Sequence, residues 1–316
     1  MTTVAVMLVG AVGCGGESRR SQGGGAFAGA EPGTTAGAGR GDSAGESAGG
    51  AAGSAGASTS VDCSGPFGEP RVVFDAGAGM RLFSPTLSAD ETELLYAIGE
   101  QQGELHYARA KRASKLDAFG PGEPIPELDL ACVPSDDRTI DLSADGLRAY
   151  LVCYDPGNAD SKDLRIAARP TLDAPFALKA GTYGHVGASA AVANGELTLY
   201  TSGFLAGEEP ALLFERATTS ESFGDGQPIP GLGDAPLVTP DPSPDGLWLF
   251  GALGAGFNEG LTLATRANVD EPFAPLDSSL TSDPGGNWVS PAISEDCRSL
   301  YAVRRSPHYT VEVFAR

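Results

Sequence analysis

The stretch Ser243-Pro244-Asp245-Gly246-Leu247-Trp248-Leu249-Phe250 reads as a tight polar turn that runs straight into an apolar, aromatic strand. Asp and Gly are turn residues for physical reasons: one carboxylate bonds nearby backbone, and the other residue adopts positive φ at no steric cost. The phrase recurs as SADETELLY from Ser88, SADGLRAY from Ser143, VANGELTLY from Val192 and SEDCRSLY from Ser294. With Asp90, Asp145, Asn194, Asp245 and Asp296 as markers, the spacings are 55, 49, 51 and 51 residues. A period of that size denotes stacked supersecondary units rather than one irregular domain.

Aligned on those markers, the strand after the turn has two apolar faces. Tyr96, Tyr150, Tyr200, Phe250 and Tyr301 fall on one, and Leu95, Ala149, Leu199, Leu249 and Leu300 on the other. A strand apolar on both sides must be covered on both sides, as happens when sheets stack face to face around a ring. A third strand ends at an Arg in each copy: Arg109, Arg169, Arg216, Arg266 and Arg316. Phe176, Phe223 and Phe273 stand seven residues after the middle three, and the first copy reaches Phe119 after an expected short insertion. The fifth copy stops at Arg316, and its missing Phe and outer strand appear instead as GPFGEPRVVFDAG, Gly65 to Gly77. The reading is an all-β, five-bladed β-propeller with four antiparallel strands per blade, closed by the N-terminal strand completing the C-terminal blade.

The repeats resemble the WD-like repeats of TolB-like periplasmic propellers, whose blades carry an SPDG turn before an apolar-aromatic strand. The resemblance covers roughly residues 64 to 316, best at Ser243 to Gly246. It implies the fold and leaves function to be argued from the site.

The first 62 residues are of another kind. Val4 to Gly13 is an apolar run ending in small residues at Cys14, too short to span a bilayer and of signal-sequence length. It resembles the bacterial lipoprotein signal, which implies a lipidated Cys14. Residues 15–62 are rich in Gly, Ala and Ser and bury too little apolar surface to offset ordering entropy, so a flexible tether is expected. The RGD at Arg40 to Asp42 is assigned no function. The expected organisation is signal (1–14), linker (15–62) and propeller (63–316), lipid-anchored in the cell envelope and facing the periplasm or cell surface, with the membrane engaged only through the anchor.

A formal charge of −20 argues against nucleic acid, because phosphate binding needs clustered Lys and Arg. Apart from Cys14 there are four cysteines, Cys63, Cys132, Cys153 and Cys297, an even number suited to an oxidising compartment. In the blade assignment Cys63 and Cys297 sit at one end of the closing blade, and Cys132 and Cys153 at one end of blade two. Those are the expected disulfides.

The sequence contains no GxSxG, HExxH or Gly-Lys-Ser motif, and His106, His185 and His308 fall in separate blades. By alternation, Ser84, Thr86, Thr139, Asp141, Ala188, Ala190, Thr239, Asp241, Ser290 and Ala292 turn toward the central channel. Asp141 and Asp241 are the charges in that lining, and two carboxylates make a weak calcium site. Hydration is therefore expected, no cofactor is called for, and Ca2+ in the channel is the alternative. Loops at the mouth bring Arg138, His185 and Trp288 to a candidate binding surface, with the DPGNADSKD stretch from Asp155 as a further loop. The leading reading is a non-enzymatic envelope lipoprotein that binds a protein or small ligand. The alternative is a five-bladed glycoside hydrolase or carbohydrate-binding protein, against which stands the lack of a Glu in either channel column.

Overall fold

The computed structural model describes residue 63 and residues 65–316, apart from 133–137, 156–157, 182, 184, 203–209, 236, 254–259, 276, 278–279, 281–286 and 306, and apart from the side chains of 155, 158–161, 185 and 253. Cys14 and the 15–62 linker lie outside the described residues.

Five antiparallel sheets follow one another along the chain. Strand β1 (Arg71–Asp75) comes first in sequence but belongs to the last sheet. Blade one is β2 (Met80–Leu87), β3 (Glu93–Glu100), β4 (His106–Lys111) and β5 (Glu123–Pro124), followed by the short helix α1 (Pro126–Asp129). Blade two is β6 (Thr139–Leu142), β7 (Arg148–Asp155), β8 (Asn158–Ala168) and β9 (Ala177–Leu178), with β10 (His185–Val186) also paired to β8. Blade three is β11 (Ala190–Ala193), β12 (Thr198–Thr201), β13 (Leu212–Glu215) and β14 (Gln227–Pro228). Blade four is β15 (Leu237–Pro242), β16 (Trp248–Leu253) and β17 (Leu261–Thr265), and at its outer edge, among the described residues, Leu263 of β17 bridges to Asp277. Blade five is β18 (Trp288–Ile293), β19 (Ser299–Arg304), β20 (Thr310–Ala315) and β1, in the order β18-β19-β20-β1. The N-terminal strand therefore closes the ring, with Arg71 opposite Val313 and Asp75 opposite Thr310. The stretch from Asp155 is no loop: β7 and β8 continue through it as a long hairpin in which Asp155 faces Asn158.

The core is divided among the seams between blades. Tyr150 packs with Leu199 and Phe214 across blades two and three, Tyr200 with Leu249 across three and four, and Phe250 with Leu300 and Phe314 across four and five. The Tyr150, Tyr200 and Phe250 rings are at most 1% exposed, and burial of each contributes about 2 kcal/mol.

The turn phrase has one physical explanation in four blades. The Ser hydroxyl donates to the Asp carboxylate two residues on (Ser243 to Asp245, 2.6 Å) and accepts the N–H that opens the next strand (Trp248, 2.9 Å), while Asp245 accepts from the Leu247 N–H at 3.0 Å. Ser88, Ser143 and Ser294 do the same. The residue after the Asp takes positive φ, which Gly146 and Gly246 accept freely and which Glu91 (57°) and Cys297 (55°) adopt as well.

That geometry corrects the alignment in two blades. Counting from the turn, the column of Tyr150 contains Leu95 and not Tyr96, because Ser88 bonds Glu93 as Ser143 bonds Arg148. Tyr96 lies one residue on, so it faces the seam with blade five and packs on Phe74 at 4.9 Å. In blade three Ala193 pairs with Thr198, which puts Gly195 rather than Asn194 in the Asp column, and Glu196 (φ 69°) in the position of Gly246.

The Arg column is corrected likewise. Arg112, not Arg109, stacks on Phe119 at 4.3 Å, seven residues away with no insertion. Arg169 on Phe176, Arg216 on Phe223 and Arg266 on Phe273 repeat the contact at 4.5, 4.3 and 4.5 Å. Arg316 completes the set on Phe67 at 3.9 Å, so the N-terminal Phe does occupy the place that the fifth copy lacks. Each stacked Arg also reaches the preceding blade. Arg112 donates to the Tyr301 hydroxyl (2.6 Å), Arg216 to Tyr150 (2.8 Å) and Arg266 to Tyr200 (3.3 Å). Blade one offers Leu95 there, with no hydroxyl, and Arg169 pairs instead with buried Glu93 at 2.5 Å.

Two disulfides are present. Cys63 is joined to Cys297 (Cα–Cα 5.0 Å) and Cys132 to Cys153 (Cα–Cα 5.1 Å).

Candidate functional site

The inner strands put two rings of side chains on the axis. The first holds one hydroxyl per blade: Ser84, Thr139, Ser189, Thr239 and Ser290. In three blades this residue precedes Pro85, Pro240 or Pro291, takes φ of 47–48°, and coincides with a break in strand register. Proline cannot donate to the ladder, and the chain absorbs it as a bulge that turns the hydroxyl inward.

The second ring is Thr86, Asp141, Ala191, Asp241 and Ala292, so blade three contributes Ser189 and Ala191 to these columns rather than Ala188 and Ala190. Its polar members clasp adjacent blades. Thr86 accepts the Leu142 N–H at 3.2 Å, Asp141 the Val192 N–H at 2.7 Å, and Asp241 the Ile293 N–H at 2.6 Å. The residue that Ala191 would clasp is Pro242, which has no N–H to offer. Asp141 uses its other oxygen to accept from the Thr86 hydroxyl at 2.9 Å, so both of its oxygens are engaged.

Between the rings and the turns the axis narrows to three small cavities of about 110, 20 and 70 Å3. The first is lined by Asp141, Asp241, Glu196 and Glu295. Burial pushes the Asp141 carboxyl up to about 6 against its three hydrogen bonds, with Glu196 adding to the rise. Burial and then the Asp141 charge raise Asp241 well above the usual carboxylate range, and loss of hydration and Asp141 raise Glu295. Glu196 and Glu295 are the members that strand alternation misses, because they sit in the blade-three and blade-five turns and not in strands. Among the described residues no group of three or more His, Cys, Asp or Glu is placed to hold a metal ion.

The residues expected at the mouth are distributed differently. Arg138 is 2% exposed and donates to Asp129 at 2.7 Å, with its guanidinium over Tyr107, so it forms part of the upper cavity wall and is no free surface cation. Trp288 is 1% exposed, edge-on to Phe314 at 5.0 Å, a packing residue of the seam between blades four and five. His185 opens β10 opposite Asp163, and its side chain is outside the described set. His106, in blade one, lies 3.5 Å from Asp129, and His308, in the adjacent blade five, 3.1 Å from Asp75.

No protein-family model and no curated protein sequence matches the chain. Solved structures do. The chain is similar to a GH43_1 enzyme from Xanthomonas citri (TM-score 0.54, 10% identity, covering 77% of this chain and 91% of that one) and to RS223-beta-xylosidase (TM-score 0.53, 12% identity, covering 78% and 94%). TolB from Acinetobacter baumannii is also found (TM-score 0.44, 10% identity); 75% of this chain is covered, spanning 55% of the TolB chain. At such identities the likeness is one of architecture, and with the sheet order above it identifies a five-bladed β-propeller.

Proposed function

We propose that the chain is a non-enzymatic lipoprotein of the cell envelope whose propeller is a binding or scaffold module for a protein or small ligand. The observation that carries this reading is the state of the channel carboxylates. Asp141 spends both oxygens, and Asp241 one, in holding neighbouring blades together, on an axis whose cavities among the described residues are of about 110, 20 and 70 Å3. Groups so committed serve as structural clasps, and general acid–base work needs a carboxyl within reach of a substrate. Recognition then falls to the connections between blades. No helix among the described residues is long and apolar enough to cross a membrane. Labelling with a palmitate analogue tests the anchor: wild type incorporates it and Cys14→Ser does not. Capture from envelope extract on immobilised protein tests the module, and a single protein partner retained through high-salt washing is the expected result.

One observation favours a second reading, a glycoside hydrolase. Asp141, Asp241 and Glu295 line a single cavity, and burial, with the Asp141 charge added for Asp241 and Glu295, raises the proton affinity of all three, as suits a general acid. Assay against a glycan panel separates the two. Cleavage by wild type that is lost in Asp141→Asn, Asp241→Asn and Glu295→Gln overturns the binding-module reading.

A further inference from the structure

A groove of about 1270 Å3 lies at the perimeter, between the closing strand β1 and blade one. Its origin is local. Strand β5 has two residues and pairs with Ala108 and Arg109, and on either side of it the outer edge of β4 is met by single bonds, the Ile125 N–H to the Tyr107 carbonyl and the Gly120 N–H to the Lys111 carbonyl, rather than by a continuous strand. Val72, Phe74, Met80, Ile98 and Phe119 line the opening, and Val72 is 49% exposed. The floor is Tyr96, the residue that the blade-one register turns away from its column. Its buried hydroxyl has no hydrogen-bond partner among the described residues.

Along β3, alternate residues Leu94, Tyr96, Ile98 and Glu100 share one face and pass from buried to exposed. The groove thus runs from an apolar floor to an acidic lip about 13 Å away, four residues at about 3.3 Å each. The charge is one-sided: Asp75, Glu100, Glu104 and Asp129 line it, with no Lys or Arg. Asp129 is neutralised by Arg138 at 2.7 Å and Asp75 binds His308 at 3.1 Å. Glu100 and Glu104 are exposed, with no hydrogen-bond or ion-pair partner for either carboxylate among the described residues. Arg81, which donates to the carbonyl oxygens of Glu100 and Gly103, is not part of the lining.

We propose that this groove binds an amphiphilic organic cation, its apolar body along Tyr96 and Ile98 and its ammonium or guanidinium head between Glu100 and Glu104. Apolar walls provide the affinity, and the unpaired carboxylates select the sign of the charge. The site is separate from the channel and stands whichever reading of the axis is correct.

The test is calorimetric titration of the purified full chain with octylamine, octanol and octanoate, which share one apolar body and differ in charge. Octylamine is expected to bind most tightly and octanoate least. The double variant Glu100→Gln/Glu104→Gln should lower octylamine affinity about fivefold and leave octanol unchanged. Val72→Lys, a change at an exposed position, should weaken octylamine and strengthen octanoate. Unaltered melting temperatures establish that both variants are folded. The proposal is overturned if octanoate binds as tightly as octylamine, if the double variant binds octylamine as wild type does, or if none of the three binds.

Discussion

The seams between blades and the channel they enclose are made by the same repeats under opposite rules. At the seams the contact is constant: an Arg lies over a Phe at 3.9 to 4.5 Å in all five blades, even where the Phe is supplied from the other end of the chain. On the axis the corresponding positions read Thr, Asp, Ala, Asp, Ala, and the clasp is present or absent with them. The seams therefore carry the fold, while the channel positions differ from blade to blade.

The sharpest way to break that contrast is to open the closing blade covalently. Cys63 and Cys297 are 234 residues apart and Cys132 and Cys153 only 21. Denatured-chain entropy then assigns a loss of about 5 kcal/mol to Cys297→Ser and about 3 to Cys153→Ser. Urea unfolding of the two variants decides it, and equal losses would mean that closure is not what the first bridge secures. Next in size is the seam itself. Arg216→Ala removes the stack on Phe223, the bond to Tyr150 and the bond to the Glu196 carbonyl in a fully buried site, at about 3 kcal/mol. Arg266→Ala, partly exposed and with a longer bond to Tyr200, should lose about 1 kcal/mol in the same measurement.

The channel should show itself through pH. A carboxyl whose folded value is raised holds its proton more tightly when folded, so stability falls as pH rises from the ordinary 3.8 toward about 6, and the loss persists above that. Asp141→Asn/Asp241→Asn should remove this slope, on the order of 1–3 kcal/mol between pH 4.5 and 7 by chemical denaturation, while each Asn oxygen still accepts its clasp. Asp75, Asp90, Asp145 and Asp296, held low, have the opposite effect, and it appears only below the ordinary carboxylate range. A mutant profile parallel to wild type would place the loss of stability with rising pH elsewhere. Smallest of all, Tyr96→Phe removes a buried hydroxyl that has no partner among the described residues and should raise the melting temperature slightly, by at most about 1 kcal/mol of stability.

Blade number, strand order and closure by the N-terminal strand were legible because turn chemistry and apolar alternation recur with each copy. The residue-level columns slipped by one in blades one and three. Tyr96 offered an aromatic beside the true position, Leu95, and strand alternation makes such a slip a change of face. The spacing from Arg112 to Phe119 held the correction, since it matches Arg169 to Phe176 without any insertion. The axis was legible where it is made of strands, hence Asp141 and Asp241. Glu295 comes from a turn whose direction alternation does not set. Burial of Arg138 and Trp288 depends on Asp129 and Phe314, partners brought in by folding and not by spacing.

The bond between Cys63 and Cys297 also decides how the ring carries load. Strand β1 lies inside the covalent loop that this bond closes, and the chain enters the propeller at Cys63. Tension arriving from the N-terminal side passes through sulfur into the blade-five turn and bypasses the hydrogen bonds that pair β1 with β20. Under reducing conditions the same pull would peel β1 from its edge, one ladder bond after another, so the oxidised propeller resists unzipping from its N-terminal strand.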